Sequence, residues 1–297
     1  MSLKEFTEEV AKQVQERMGG VYIVKTSEVS KNNGVVWQGI QIMEKDVNIS
    51  PCIFMEGYFE RWKNGRGWSM DRIVGEIMET YRQCGIHQNI DFSWVCQYDM
   101  IRQKLRGSLI NAERNRKSLE TMPHRQILDL CLTYYLEIGI SENQPATIPV
   151  NNGMMEQWGI SEAELYEDML AGLEREKSVF DNLESMIARM MDCEEPQPLA
   201  EMYVLTNQKK LYGAVEMLNT KLLREIAEKM EMDLLILPSS IHELIILPEI
   251  GGIEGNNITY LANLVQSIND TELMDTEVLS AHVYRFERRR GEMKIAG

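Results

Sequence analysis

Histidine and cysteine are scarce in this chain, and positive charge is in short supply. Four histidines (His87, His124, His242 and His282) are spread over 297 residues. His242-Glu243 opens like a zinc-protease motif, but position 246 is Ile, so the second imidazole one helical turn on is missing and no metal is expected. The five cysteines (Cys52, Cys84, Cys96, Cys131 and Cys193) contain no Cys-x-x-Cys pair, which removes zinc-ribbon and dithiol redox signatures. No apolar run approaches the roughly 18 residues needed to cross a bilayer, so no membrane is expected as a partner. Lys4, Glu5, Glu8 and Glu9 stand where a secretory leader would need an apolar core, which makes a cytoplasmic chain with reduced thiols the expectation. Gly34-Val-Val-Trp-Gln-Gly39 has the glycine spacing of a phosphate loop, yet Ile40 occupies the lysine position. A dinucleotide fingerprint is absent too, so no cofactor is expected. Gly67-Trp-Ser-Met-Asp71 lacks the second glycine of a nucleophile elbow, and Ser69 reads instead as a helix cap.

Lysine and arginine number 31 against 46 aspartates and glutamates, a net charge of −15. The imbalance lies in the second half: residues 1–150 hold 18 basic against 19 acidic side chains, and residues 151–297 hold 13 against 27. That half would repel a phosphate polymer, which disfavours nucleic acid as a partner. A nucleic-acid-associated reading rests on residues 102–117, where Arg102, Lys104, Arg106, Arg114, Arg116 and Lys117 face a single Glu113. No aromatic is interleaved there for base stacking, and the plainer reading is a solvated helical face paired with the acidic half.

What is present is enough apolar residue, 44%, to build a packed core, and a length of about two domains. Ser2 and Glu5 form a capping box ahead of Phe6, Val10 and Val14, one stripe of a first helix. Asn32-Asn33-Gly34 predicts a hairpin, and Ser69 caps a helix presenting Ile73, Ile77 and Tyr81. Residues 98–121 read as partly helical. Residues 126–140 fit a long strand or a buried helix, and periodicity does not choose between them. Ser141 to Ala146 reads as a linker, giving an N-terminal domain over 1–141 and an acidic C-terminal domain over 147–297. In the second, Ser161 and Glu164 form another capping box, a helix is expected over 179–191, and strands over 202–205 and 211–218 are joined by residues 206–210. Asn219 caps a helix to Met230, another helix carries Ile258, Leu261, Val265 and Ile268, a strand closes at 282–287, and Arg288 to Arg290 read as an exposed tail. The mixture of helices with hairpin-joined strands predicts an α+β fold.

The candidate site lies in Asp233-Leu-Leu-Ile-Leu-Pro-Ser-Ser-Ile-His-Glu-Leu-Ile-Ile-Leu-Pro248. Two aliphatic runs flank a polar knot of Ser239, Ser240, His242 and Glu243, whose groups must bond one another or meet a ligand. Asn207 and Tyr212 join them if the two hairpins share a sheet. The leading expectation is a noncatalytic binding or interaction protein using Asn207, Tyr212, Ser239, Ser240, His242 and Glu243, with a protein partner or a second copy of the chain as the partner class. The alternative is a hydrolase with His242 as base and Ser239 or Ser240 as nucleophile. Twenty methionines, Met186, Met190 and Met191 among them, fill cores or line a flexible partner groove.

Several blocks together carry a family likeness: Asn32 to Ile42, Asn48-Ile-Ser-Pro51, Ile148-Pro-Val-Asn151, Trp158 to Leu165, Tyr203-Val-Leu-Thr-Asn207 with Gly213-Ala214, Ile236 to Glu243, and Glu277-Val-Leu-Ser-Ala-His-Val-Tyr284. Over nearly its full length the chain resembles the domain-of-unknown-function family 5688. The resemblance implies a bacterial, clostridia-like cytoplasmic protein and carries over no catalytic residue.

Overall fold

In the computed structural model, residues 1–45, 47–48, 50–65, 67–84, 91–141, 144–193, 201–250 and 257–296 are described. They fall into two compact units, Met1–Ser93 and Trp94–Gly297.

The first unit contains α1 (Leu3–Met18), β1 (Tyr22–Ser30), β2 (Val36–Glu44), β3 (Cys52–Phe54), α2 (Glu56–Lys63) and α3 (Met70–Cys84). Ser2 and Glu5 close the capping box on α1, and Ser69 Oγ accepts from Arg72 N at 3.3 Å at the start of α3. The hairpin turns through Asn33, whose φ of 59° suits a short polar side chain. The sheet is antiparallel in the order β1-β2-β3. Phe6, Val10 and Val14 of α1 and Ile73, Ile77 and Tyr81 of α3 bury their stripes with Ile40, Ile42 and Ile53 in one core.

The second unit contains α4 (Tyr98–Ile101), β4 (Leu105–Asn111), α5 (Arg116–Leu119), β5 (His124–Ile127), β6 (Leu130–Ser141) and β7 (Gln144–Pro149). After these come α6 (Asn152–Trp158), α7 (Glu162–Arg175), β8 (Ser178–Asn182), α8 (Leu183–Met190), β9 (Tyr203–Asn207), α9 (Thr220–Met230), β10 (Leu234–Pro238), β11 (Leu244–Pro248), α10 (Ile258–Thr271), β12 (Tyr284–Glu287) and β13 (Glu292–Ile295). One antiparallel sheet runs β13-β12-β10-β11-β9-β8. In the other, β4 lines one side of β6, and β5 and β7 follow each other along the opposite side. Helices and antiparallel sheets together make the fold α+β, as the sequence predicts.

The continuous aliphatic runs of β10 and β11 have a simple cause. Leu234, Ile236, Leu244 and Ile246 face the large core shared with the β4–β7 sheet, whereas Leu235, Leu237 and Leu247 pack with Leu261 and Val265 of α10. Both faces of the sheet are covered there, so alternation disappears.

Several expectations are corrected. Ser141, Gln144, Pro145 and Ala146 of the stretch read as a linker pair within the β6–β7 hairpin, and the chain divides into its compact units after Ser93. Proline and polar residues that suggest a boundary serve equally in a strand connection. Residues 126–140 are two strands turning at Leu128, whose φ is 56°. The centre of 98–121 is strand β4, and the helix expected over 179–191 begins only at Leu183, after Asn182 has capped it. Residues 213–218 form 3-10 turns rather than a strand. Arg288 to Arg290 lie in the turn between β12 and β13, where Arg288 N donates to Asp233 Oδ1 at 3.0 Å. The segment Cys193-Glu-Glu-Pro-Gln-Pro198, whose prolines predict a loop, lies outside the described residues after Cys193.

Candidate functional site

The structure brings the six sequence-selected residues together, because β9 pairs with β11 in the sheet that also holds β10. The turn between β10 and β11 is closed by Ser240 N donating to the Glu243 carbonyl at 3.2 Å. Ser240 Oγ accepts from the backbone N–H of His242 at 3.0 Å, and Ser239 Oγ donates to Glu243 Oε1 at 3.3 Å. Across from it, Asn207 holds its own loop: Nδ2 donates to the Leu211 carbonyl at 2.7 Å and Oδ1 accepts from Leu211 N at 3.2 Å.

The two loops are clasped by His242. Its Nδ1 accepts from Tyr212 N at 3.0 Å, and its carbonyl accepts from Thr206 Oγ1 at 2.7 Å. That network assigns a neutral ring protonated on Nε2. Burial pushes the imidazole below its ordinary value, with Glu277 and Glu243 opposing. The Tyr212 ring stacks on His242 at 5.5 Å and meets Tyr135 edge-on at 5.0 Å, and burial raises the Tyr212 phenol. Gly213 passes beneath: a Cβ there would lie 2.1 Å from Thr206 Oγ1, 2.5 Å from the His242 carbonyl and 2.9 Å from Asn207 N. These hydrogen bonds form a structural clasp, and they count against the open binding surface expected at Asn207, Tyr212, Ser239, Ser240, His242 and Glu243. The hydrolase pairing is also unmade. Ser240 Oγ accepts from backbone, Ser239 Oγ donates to a carboxylate, and Nδ1 of the imidazole is taken by Tyr212 N.

A second polar cluster, which the sequence reading passed over, gathers on Asp129 in the β5–β6 turn. Ser280 Oγ donates to Asp129 Oδ2 at 2.8 Å and Tyr284 OH to Oδ1 at 2.8 Å. His282 Nδ1 lies 3.0 Å from Oδ2. Burial pushes the Asp129 carboxyl up, but the hydrogen bonds from His282, Tyr284 and Ser280 outweigh it and hold the group below the usual carboxylate range. An ionised carboxylate only accepts, so the network places an imidazole proton on Nδ1 and leaves Nε2 outside the cluster on an exposed ring. Burial and Asp129 raise the Tyr284 phenol.

Ser280 also lines a polar hollow of about 410 Å³. Asn111, the last residue of β4, and Arg114, in the turn that follows, stand in its wall with Gln266, Asn269 and Asp270 of α10 and Asp275 of the following loop. Asn111 Nδ2 donates to the Leu279 carbonyl at 3.2 Å and Asn269 Nδ2 to the Ser280 carbonyl at 3.0 Å, which fixes the 279–280 backbone between them. Asn269 is 9% exposed, and its Oδ1 is buried with no hydrogen-bond partner. An unmet buried acceptor costs about 1–3 kcal/mol. That oxygen is sealed behind the wall rather than presented to the hollow.

The last of the blocks singled out above supplies three of the four members of the Asp129 cluster, and a family comparison settles what that likeness means. The model for a family of unknown function, DUF5688, matches residues 3–288. The chain belongs to that family. The match takes in the clasp, the Asp129 cluster and the hollow of this DUF5688 chain. No curated protein and no solved structure matches it.

The basic segment of this DUF5688 protein is tied to its own acids. Arg102 pairs with Asp168 at 2.9 Å, Arg106 with Glu176 and with Glu137 at 3.5 Å, and Lys104 sits 5.6 Å from the Trp94 ring centre. Lys209 shares Glu137. Pairing with the acidic half is thus present, although the central residues belong to a strand rather than a helical face. Among the described residues no group of three or more His, Cys, Asp or Glu side chains is placed to hold a metal ion. No described helix is long and apolar enough to cross a membrane.

Proposed function

We propose that this DUF5688 chain is a noncatalytic binding protein of the bacterial cytoplasm, and that it takes a small polar ligand in the hollow between the turn after β4 and the C-terminal end of α10. One observation carries the reading: polar side chains from separate stretches of the chain, Asn111 and Arg114, Gln266 and Asp270, and Asp275 with Ser280, converge on one hollow. The size agrees, since small-molecule sites run to about 300–1,000 Å³. The test is a thermal-shift screen across classes of polar metabolite, run on the wild type and on an Arg114→Ala/Asp270→Ala variant. Both altered side chains are exposed, so the fold should survive. Ligands of the hollow raise the wild-type melting temperature and lose that effect in the variant. Equal shifts in both proteins for every hit would place binding elsewhere and sink the reading.

A second reading is enzymatic and rests on the Asp129–His282 pair beside the hollow. A carboxylate on Nδ1 orients the ring and leaves Nε2 to take a proton from a ligand bound against Ser280 and Ala281. Its test is His282→Gln: the fold and ligand affinity persist, and conversion of a bound hit to product stops. A wild type that returns every bound hit unchanged removes this reading.

A further inference from the structure

We propose that the outer edge of β1 takes up an extended, acidic segment of a partner protein as an added antiparallel strand. β1 runs nine residues, pairs with β2 along its whole length and forms one end of its sheet. The ladder fixes which backbone groups look outward. Gln38 turns its carbonyl toward β3, where it accepts from Met55 N at 2.9 Å, so the even-numbered residues of β2 bond away from β1. Their partners in the register, Tyr22, Val24, Thr26, Glu28 and Ser30, therefore direct their own N–H and C=O groups to the outer edge. Part of that edge is already covered in strand-like fashion. Gln15 of α1 donates from Nε2 to the Tyr22 carbonyl at 3.1 Å and accepts from Val24 N at Oε1 at 2.9 Å. The amide reaches only the start of the edge. Beyond it, the N–H and C=O groups of Thr26 and Glu28 have no partner among the described residues, and both residues are exposed. A strand laid against them exchanges two hydrogen bonds with each.

The side chains specify what that strand carries. Ile40, Ile42 and Ile53 face the core with α1 and α3, so Lys25, Ser27 and Val29 of β1, Trp37 of β2 and Phe54 of β3 lie on the opposite face. The Trp37 and Phe54 rings meet at 4.8 Å, and Lys31 Nζ lies 4.2 Å from the centre of the Phe54 ring. Lys25 and Lys31 have no carboxylate partner among the described residues, and the strand residues of this face include no acid. A second copy paired through β1 would set these lysines against their own kind. A segment with acids opposite Lys25 and Lys31, and apolar residues opposite Ser27 and Val29, matches the charge and extends the apolar surface of Val29, Trp37 and Phe54.

Two end-capped peptides test this on the full chain: Glu-Thr-Val-Thr-Val-Thr-Glu and its basic counterpart Lys-Thr-Val-Thr-Val-Thr-Lys. Binding is read from the backbone amide resonances of Thr26 and Glu28 during titration. The acidic peptide shifts both saturably and binds about fivefold or more tighter than the basic one, the scale set by exposed ion pairs. Lys25→Glu abolishes that preference. Thr26→Pro removes an outward N–H and leaves the β1–β2 ladder whole, a position where an edge strand tolerates proline, so the fold is kept and the peptide is lost. If Thr26→Pro does not fold, Lys25→Glu still decides. Silence of Thr26 and Glu28 toward the acidic peptide, or equal binding of the two peptides, would overturn the inference. A wild-type dimer that Thr26→Pro splits would overturn it too, since the edge would then belong to a second copy.

Discussion

Gly213→Ala should be among the most damaging one-carbon changes available in the second unit. The added Cβ would meet the Thr206 hydroxyl at 2.1 Å, the His242 carbonyl at 2.5 Å and the Asn207 nitrogen at 2.9 Å. Two of those three atoms are backbone and cannot swing aside. The hydroxyl could retreat only by breaking its 2.7 Å hydrogen bond to the same carbonyl. Overpacking of this kind costs about 1–3 kcal/mol, and a buried acceptor left unmet costs about 1–3 kcal/mol more. A total near 3 kcal/mol corresponds to a melting-temperature loss of about 10 °C for a unit of this size. Differential scanning calorimetry reads the loss, with Gly75→Ala as the control. Gly75 lies inside α3 facing open space, so alanine there should stabilise by about 0.5–1 kcal/mol through helix propensity alone. A Gly213→Ala protein that melts with the wild type would refute the clasp.

Other consequences can be measured separately. The Asp129 carboxyl is held low in the folded protein, so its contribution to stability is complete above the unfolded value, near pH 4, and drains away as pH falls through the folded value. Asp129→Asn should cost about 2 kcal/mol at neutral pH and flatten that acid limb in urea titrations; an unchanged limb would show that the carboxylate does not anchor the cluster. His242 is held below its ordinary value as a neutral ring, so its contribution is present above the unfolded value near pH 6.5 and declines as pH drops through the lower folded value. Nitrogen NMR should find the Nε2–H tautomer persisting below pH 6.5, and an imidazolium at neutral pH would contradict the assigned hydrogen bond from Tyr212. Heparin at low salt should let the protein pass, because Arg102 and Arg106 are already paired with Asp168, Glu137 and Glu176; salt-dependent retention would revive the nucleic-acid reading.

Local signals in the sequence were legible where they were chemical. Ser2-Glu5 and Ser161-Glu164 cap the helices they predict, Asn219 caps its own, and the hairpin at Asn33 forms. The 211–218 stretch misled because its alternating apolar residues look like a strand. Tyr212, at φ 52°, and the crowded Gly213 instead force the chain under His242, a tertiary demand that no local pattern announces. The boundary read at Ser141 to Ala146 misled because β6 and β7 pair across it. The knot at Ser239–Glu243 was found, but a linear reading has no means of telling a self-satisfied turn from an open one. The hollow was missed because Asn111, Asn269 and Ser280 are far apart in the chain and unremarkable singly. One signal was present: Ser280, His282 and Tyr284 recur at spacing two, which sets them on one side of an extended segment. Their partner Asp129 stands 151 residues upstream of Ser280 and carried no mark of its own.

Recognition is proposed in the hollow lined by Arg114 and Asp270, whereas the clasp at His242 is structural, and one comparison divides the two most directly. Each ligand found by the thermal-shift screen is titrated calorimetrically into the Arg114→Ala/Asp270→Ala protein and into His242→Gln. Binding should be lost in the first and kept, on a less stable fold, in the second. Affinity that survives the double substitution but disappears with His242 would contradict the assignment of both sites.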